Sequence, residues 1–292
     1  CSMACQGVIM TANIWIVQGD GILCTSDGLP FVLKLSNVPT KAIHLGFAET
    51  HHKQSLLLCS PNQLPISHAM DINDAIKLGL IFAYGDGYDT KTVRNLKIVS
   101  FREFLTVMDN KMLNLMARAI MLIGWHNDHQ FCSRCGAKTT HHPQGEHAKI
   151  CPKCRHHAYP RVQPCIIVAI TRIHPKTHKQ QILLARHHHH KSGIYGLIAG
   201  FVEVGETLSM AVHREVYEEV GLLIDDIRYF DSQPWPHPSN LMVGFIANYK
   251  EGQINIQRNE LVDAQFFDID QLPPIPNQGT IACSLIQAVV TA

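Results

Sequence analysis

Apolar residues recur with two different periods along this chain. Between positions 14 and 100, short apolar runs alternate with Gly, Pro and Asp, a pattern that predicts the strands of a small mixed domain. Between positions 101 and 125 the apolar residues fall at helical intervals and predict one helix. We therefore expect a β-rich N-terminal domain over 1–106 and a linking helix over 107–130.

Strand and helix patterns alternate in the second half of the chain. The continuous apolar run at 164–170 is typical of a strand buried on both faces. Apolar residues at every fourth position from 208 to 220 predict a helix that stops at Gly221. Further strands are predicted at 181–185, 194–199, 241–248 and 264–269, and a closing helix at 281–290. This order predicts an α/β (α+β) fold, in which a mixed sheet is packed between helices as an α/β/α sandwich.

Length and composition support more than one soluble domain. A chain of 292 residues is long for a single core, and 46% hydrophobic with 17% charged residues is ordinary for a globular protein. The net charge of +1 gives no general attraction to polyanions, so any nucleic-acid contact has to be local. Ten cysteines, without an export signal or an apolar run of membrane length, indicate a reducing compartment. We expect a cytoplasmic protein with no membrane contact.

Four of the cysteines have the spacing of a metal site. Cys132 and Cys135 are separated by two residues, as are Cys151 and Cys154, and fifteen residues lie between the pairs. Two such pairs place four sulfurs around one ion and leave no open position for water. The spacing therefore predicts one structural Zn²⁺ per chain in a ribbon over 131–158. Disulfide pairing of the same cysteines is the alternative interpretation.

Three glutamates lie on one side of the helix predicted at 208–220. Glu215, Glu218 and Glu219 are three and four residues apart, and the helical angle turns Glu215 and Glu219 towards the border of the apolar face. Packed carboxylates repel one another and need a compensating charge, which hard divalent cations such as Mg²⁺ or Mn²⁺ supply. The alternative is a surface helix that is acidic without binding a metal.

These glutamates belong to a longer motif. Gly200 is followed after five residues by Glu206 and, after seven more, by the run REVYEEVGL at 214–222. This is the Nudix signature in full, so residues 159–292 resemble a Nudix hydrolase domain, preceded by the zinc ribbon and the small N-terminal domain.

A second motif narrows the resemblance. Residues 232–239 read SQPWPHPS, beginning ten residues after the Nudix signature. Together with the zinc pattern upstream, they resemble the SQPWPFPxS motif of the NADH pyrophosphatases, a zinc-ribbon-containing Nudix family in which removal of NAD caps from RNA also occurs. His237 stands where the family has Phe, and Asn240 where it has Ser. The prolines predict a stiff loop that holds an aromatic surface against a nucleotide base. Without the Nudix signature, the same prolines would predict only a rigid loop that anchors Trp235.

The resemblance implies a role for individual residues. More than one Mg²⁺ or Mn²⁺ would be held by Glu215, Glu218, Glu219, Glu260 and the backbone carbonyl of Ala199. Glu218 would be a metal ligand or the base that takes a proton from water, and Arg214 would pair with Glu206 to fix the loop against the helix. The nucleotide would be surrounded by Arg102, Glu146, Tyr159, Phe201, Gln233, Pro234, Trp235, Pro236, His237, Pro238, Ser239, Asn240 and Ala282.

The same resemblance implies hydrolysis of the pyrophosphate linkage in NADH or NAD⁺ to AMP and nicotinamide mononucleotide, with NAD-capped RNA as a further substrate. It also implies a homodimer. Two alternatives stay open: a non-catalytic nucleotide-sensing or nucleic-acid-binding module that uses the zinc ribbon, and a Nudix pyrophosphatase for another nucleoside diphosphate derivative. The complete set of three glutamates argues against the sensor, which does not need every metal carboxylate.

Overall fold

The computed structural model describes two compact units. The described residues are 12–18, 20–24, 33–35, 43–47, 55–59, 97–143, 146–188 and 193–292. The first unit comprises Cys1–Phe104 and Lys111–Arg161, and the second comprises Leu105–Asn110 and Val162–Ala292. None of the helices in these described ranges has the length and apolar character needed to span a membrane.

A six-stranded sheet forms the N-terminal part of the first unit. Its strands are β1 (Ala12–Gln18), β2 (Gly21–Cys24), β3 (Leu33–Leu35), β4 (Ile43–Phe47), β5 (Ser55–Cys59) and β6 (Lys97–Ser100). They lie in the order β4-β5-β1-β2-β6, with β3 also paired to β1. Since β1 is parallel to β5 and antiparallel to β2, the described strands of this segment form a mixed sheet. Much of the predicted 1–106 domain lies outside the described residues.

The helical segment after this sheet is interrupted. Helix α1 (Phe101–Phe104) is followed by a break and then by α2 (Asn110–Asp128), so the prediction of one continuous helix over 101–125 is wrong. The break begins at Leu105. The backbone carbonyl of Leu105 packs closely on Gly279, and a Cβ added at position 279 would overlap that carbonyl. This tertiary contact overrides the helical periodicity of the sequence.

A small three-stranded sheet carries the cysteine ribbon. Its strands β7 (Thr140–His141), β8 (Lys149–Ile150) and β9 (His157–Ala158) are antiparallel neighbours in that order. Lys149 is buried, and its ammonium group donates a 2.7 Å hydrogen bond to the carbonyl oxygen of His126 on α2. The ribbon is thereby tied to the helix that precedes it.

The second unit is built on a mixed sheet of six strands. They are β10 (Gln163–Ile173), β11 (Gln180–His187), β12 (Ile198–Phe201), β13 (Leu223–Trp235), β14 (Asn240–Glu251) and β15 (Leu261–Asp268). Their order is β13-β14-β10-β11-β15, with β12 also paired to β10. The central strand β10 is parallel to β14 and antiparallel to β11 and β12.

Two helices cover the opposite faces of this sheet, which confirms the predicted sandwich. Helix α3 (Leu208–Val220) packs on the face that includes Ile166, and α4 (Ile281–Val290) packs on the face that includes Ile167. Thr207 accepts a hydrogen bond from Met210 N at the start of α3, and Gly221 ends it with a φ of 70°. Because successive side chains of β10 point to opposite faces of the sheet, this one strand contributes to the hydrophobic core on both faces.

Two predicted boundaries differ from the structure. The strand expected at 194–199 begins only at Ile198, because Tyr195 N donates instead to Pro274 O at 2.9 Å. The loop expected at 232–239 begins as the end of strand β13, which continues to Trp235. Pro234 is tolerated there because β13 is an edge strand.

Candidate active site

The three glutamates of α3 differ sharply in exposure. Glu219 is 1% exposed, and the side chain of Glu215 is 13% exposed, whereas that of Glu218 is 51% exposed. Glu215 and Glu219 therefore face the sheet, and Glu218 faces solvent. Hydrophobic packing of the same helix, through Val212, Val216 and Val220, fixes this orientation.

Strand β12 makes room for one of these carboxylates. A Cβ at Gly200 would overlap the carboxylate of Glu215, so this carboxylate occupies the space that the glycine leaves beside the strand. Ala199, whose carbonyl the sequence predicts as a metal ligand, precedes Gly200 in β12 and pairs with Ile167 of β10. The structure thus places β12 against the acidic side of α3.

Arg214 connects the loop after β12 to the glutamates. Its guanidinium forms two ion pairs with Glu206, at 2.6 and 2.9 Å, and donates to Phe201 O at 2.8 Å. It also contacts Glu215 at 2.8 Å and Glu218 at 3.1 Å. The Arg214 hydrogen bonds hold the pKa of Glu206 down at about 2. The predicted pairing of Arg214 with Glu206 is therefore present, and it fixes the loop against the helix.

Glu219 is an acidic group in unfavourable surroundings. Burial, with the charges of Glu215, Glu260 and Glu218, raises the pKa of Glu219 to about 8. Its Oε2 atom is buried and has no hydrogen-bond partner within the described part of the chain. Burial also raises the pKa of Glu215. A carboxylate oxygen without a donor, beside other carboxylates, is suited to a cation.

Glu260 approaches this group from a different element. It lies in the loop between β14 and β15, where its backbone N–H donates to Gln257 O at 3.0 Å. Gln257 N in turn donates to the carbonyl oxygen of Glu219 at 2.8 Å, which ties the loop to the end of α3. The charge of Glu260 acts on this group, since it raises the pKa of both Glu215 and Glu219. Carboxylate oxygens of this kind fit hard divalent cations such as Mg²⁺ or Mn²⁺.

A row of side chains crosses four strands on the other face of the sheet. Phe201 pairs with Cys165, Cys165 with Met242, and Met242 with Gln233, so the four side chains share the face covered by α4. Phe201 is 51% exposed and Cys165 is buried. Burial, with the charges of Glu215 and Glu219, raises the pKa of the Cys165 thiol to about 11. The sequence identified Phe201 and Gln233 but not Cys165 or Met242, because only the strand register reveals this row.

The remaining residues of the second motif form the hairpin between β13 and β14. Trp235 pairs with Asn240, and the rings of Trp235 and His237 lie 5.6 Å apart. The turn contains Pro236, the cis peptide bond between His237 and Pro238, and Ser239, whose carbonyl accepts from Gln163 N at 2.9 Å. Pro234 pairs with Leu241. Ala282 packs in the same core as Met242, which puts the start of α4 beside the row.

Three of the predicted nucleotide contacts belong to the first unit. Arg102 lies on α1, Glu146 precedes β8 and is exposed, and Tyr159 is exposed with its ring 6.2 Å from that of His157. Their roles at the nucleotide stay predictions.

The four cysteines of the ribbon converge. Their Sγ atoms lie within 4.8 Å of one another, the one such cluster of metal-ligating groups among the described residues. Cys132 and Cys154 are 3.6 Å apart and Cys135 and Cys151 3.5 Å, close to the roughly 3.8 Å between sulfurs at a tetrahedral zinc ion. The Cys154 N–H donates to Cys151 Sγ at 3.4 Å and, as the largest cause, lowers the pKa of that thiol to about 6. All four sulfurs lie close enough to one another to bind a single ion, which supports the zinc interpretation over the disulfide one.

Comparisons with known proteins cover both metal sites. The NUDIX domain profile matches residues 165–284, and the NADH pyrophosphatase zinc ribbon domain profile matches residues 127–159. The chain is 46% identical over 191 residues to the NAD-capped RNA hydrolase NudC of Erwinia tasmaniensis, covering 65% of this chain and 70% of that protein. It is 37% identical over 247 residues to the NudC of Klebsiella pneumoniae subsp. pneumoniae, covering 84% and 93%. A solved NUDIX hydrolase from Nitrosomonas europaea overlaps 49% of this chain and 80% of its own, with 25% identity and a TM-score of 0.41.

Proposed function

This chain belongs to the family of NudC-type NAD-capped RNA hydrolases, and we propose that it hydrolyses the pyrophosphate bond of NADH or NAD⁺ and of the NAD cap of RNA. The products from the free dinucleotide are AMP and nicotinamide mononucleotide. The observation that carries this proposal is Glu219, a buried carboxylate with a raised pKa and an oxygen that no described group satisfies. Such a residue serves no purpose in a passive acidic helix.

The proposed metal site would hold more than one Mg²⁺ or Mn²⁺. Its ligands would be the carboxylates of Glu215, Glu219 and Glu260 and the backbone carbonyl of Ala199, with Glu218 at the solvent side as a further ligand or as the base. When bound, divalent cations neutralise a diphosphate, acidify water and stabilise the charge that grows on the leaving oxygen.

The protein groups then have separate tasks. Water adds a hydroxyl group to one phosphorus atom while the bond from that phosphorus to the bridging oxygen breaks. Glu218 is solvent-exposed and is suited to take the proton from water. Arg214 keeps Glu215 and Glu218 in place through its ion pairs and holds the end of β12 through Phe201 O. No side-chain nucleophile is needed.

The nucleotide site lies on the face of the sheet that α4 covers. The exposed ring of Phe201 offers a stacking surface for a base, and Trp235 offers a second aromatic group at the hairpin. Small-ligand sites combine such apolar surfaces with a few placed polar groups. We assign the same face to the contacts that Ser239, Asn240 and Ala282 make with the substrate.

A homodimer and a cytoplasmic location complete the proposal. The resemblance to the family supports the dimer, and exposed apolar side chains at Val204, Met210 and Tyr217 provide surface for such a contact. The scattered cysteines of the sequence, which favour a reducing compartment, support the cytoplasmic location.

The test is the release of AMP from NADH with and without Mg²⁺ or Mn²⁺, followed by a comparison of free NADH with an NAD-capped oligonucleotide at fixed salt. We expect AMP only when the divalent metal is present, and hydrolysis of both substrates. Hydrolysis of a different nucleoside diphosphate derivative, with NADH left intact, would support the alternative pyrophosphatase. Tight binding of NADH without any turnover would support the nucleotide sensor.

A further inference from the structure

Glu260 lies on a tight turn between β14 and β15. Gln257 O accepts hydrogen bonds from Glu260 N at 3.0 Å and from Leu261 N at 2.9 Å, and these two bonds close the turn. The side chain of Glu260 is exposed, and the contact between its carboxylate and Gln257 Nε2 is long, at 3.5 Å. The position of this carboxylate therefore depends on what holds the backbone of the turn.

A β-bulge sets the end of this turn against the α3 face of the sheet. Strands β11 and β15 pair with a register shift beside His187, which leaves Val262 as an extra residue of β15. Residues three apart in a regular strand point to opposite faces, yet Leu261 and Ala264 pack in the same core, the one that α3 covers. The bulge therefore places the residue that directly follows Glu260 under α3.

Hydrogen bonds from two different elements anchor the turn. Gln257 N donates to Glu219 O at 2.8 Å and ties the turn to α3. His188, the residue after β11, ties it to the sheet twice: its backbone N–H donates to Glu260 O at 3.2 Å, and its ring Nε2 lies 2.9 Å from Arg258 O. Because a carbonyl oxygen only accepts, Nε2 carries the hydrogen and the imidazole is the donor.

We propose that His188 is a positioning residue for the metal site, whose imidazole holds the turn at Arg258 and thereby keeps Glu260 where it acts together with Glu215 and Glu219. This inference rests on the proposed function for the ligands of that site. The charge of Glu260 raises the pKa of both Glu215 and Glu219, so a displacement of this carboxylate is felt by both. His188 acts through the turn and is not itself a ligand.

The sequence alone does not single out this histidine. It belongs to a run of four at 187–190, of which the described residues include His187 and His188. Only the strand register shows that the backbone of His188 adds one hydrogen bond beyond the last pair of β11 and β15. That extra bond places its side chain beside the turn rather than along the strand.

The experiment measures binding of Mn²⁺ alone to the whole, zinc-loaded chain, with electron paramagnetic resonance used to count free Mn²⁺. His188→Ala removes the donor to Arg258 O and should raise the Mn²⁺ dissociation constant about three- to tenfold. His188→Gln keeps an N–H donor at a similar reach, so it should bind Mn²⁺ within about twofold of the wild type. Circular dichroism checks that each variant is folded.

A second background tests whether the effect passes through Glu260. When Glu260→Gln has already removed that carboxylate, His188→Ala should change the dissociation constant by less than about twofold. His213→Ala is the matched control, because His213 is an exposed histidine on α3 itself, and it should bind Mn²⁺ like the wild type.

Three results would overturn the inference: a folded His188→Ala that binds Mn²⁺ as tightly as the wild type, a His188→Gln that loses as much affinity as His188→Ala, or an equal loss with and without the Glu260 carboxylate. A wild type that binds no Mn²⁺ would overturn it as well. Hydrolysis of NADH by the same preparations is measured separately. A wild type that binds Mn²⁺ but leaves NADH intact would refute the proposed function, and the Mn²⁺ affinities would still decide the role of His188.

Discussion

At Glu219 a carboxylate is held where water does not reach it, and three further carboxylates add their charge. Burial, then Glu215, Glu260 and Glu218, raises the pKa of this group to about 8 from its ordinary value of 4.5. Between these two values the folded protein binds more protons than the unfolded chain. Without a divalent metal, the free energy of unfolding therefore decreases as pH rises through this window.

The effect of this residue is measurable without an activity assay. In the absence of added Mg²⁺ or Mn²⁺, we expect urea unfolding to show a loss of stability between about pH 4.5 and pH 8, with an upper limit on the order of 4 kcal/mol. Glu219→Gln should flatten that dependence, because the amide does not titrate. Added Mn²⁺ should restore stability most at the alkaline end, where the carboxylate is ionised.

Glu251→Gln provides the control for this measurement, since Glu251 is an exposed glutamate at the end of β14. It should keep the wild-type pH dependence. A wild-type stability that rises steadily over the same pH range would contradict the burial argument for Glu219.

The direction in which a side chain points was predictable where it depends only on the angle between successive residues of a helix. That angle turned Glu215 and Glu219 towards the sheet, and in the structure Glu219 is buried there and Glu215 is partly buried. It could not show that Oδ1 of Asn240 lacks a partner, because that depends on which way the turn presents His237 O. It also could not show that the charge of Glu260, in the loop between β14 and β15, acts on Glu219.

At the scale of elements, Gly200 of β12 lies against the carboxylate of Glu215 on α3. Gly200→Ala puts a methyl group into the space of the Glu215 carboxylate, so that carboxylate or the strand has to shift. We expect kcat to fall by about a hundred-fold, because small displacements of positioned groups have large effects on rate. Steady-state hydrolysis of NADH, with circular dichroism as a check of folding, measures this.

Gly196→Ala is the matched control on the preceding segment, where a Cβ would meet nothing within 4 Å. It should retain activity near that of the wild type. Equal rates for the two alanine variants would show that the close contact between β12 and the helix is unimportant for the reaction.

Most elements of the second unit were predictable, and the exceptions have tertiary causes. The periodic segments gave β10, α3 and α4, because each buries one regular face. Strand β13 was missed, since an edge strand that exposes much of its length lacks a continuous apolar run. The break after α1 depends on the contact between Leu105 and Gly279, which are far apart in the sequence.

For the whole molecule, the sequence indicated the order of the domains but not how the chain passes between its compact units. Leu105–Asn110 belongs to the second unit although the segments on both sides of it belong to the first. The periodicity of apolar residues along a segment does not show which compact unit that segment belongs to. The zinc ribbon and the Nudix domain were predictable because their chemistry requires fixed spacing between cysteines and between glutamates.

The central claim is that glutamates from α3 and the loop at Glu260 gather divalent cations around two linked phosphates. The most direct measurement is a crystal structure with Mn²⁺ and a non-hydrolysable NAD analogue, with anomalous scattering used to locate manganese. We predict manganese peaks bridging the diphosphate to Glu215, Glu219 and Glu260. A fully bound diphosphate with no manganese at these carboxylates would contradict the account.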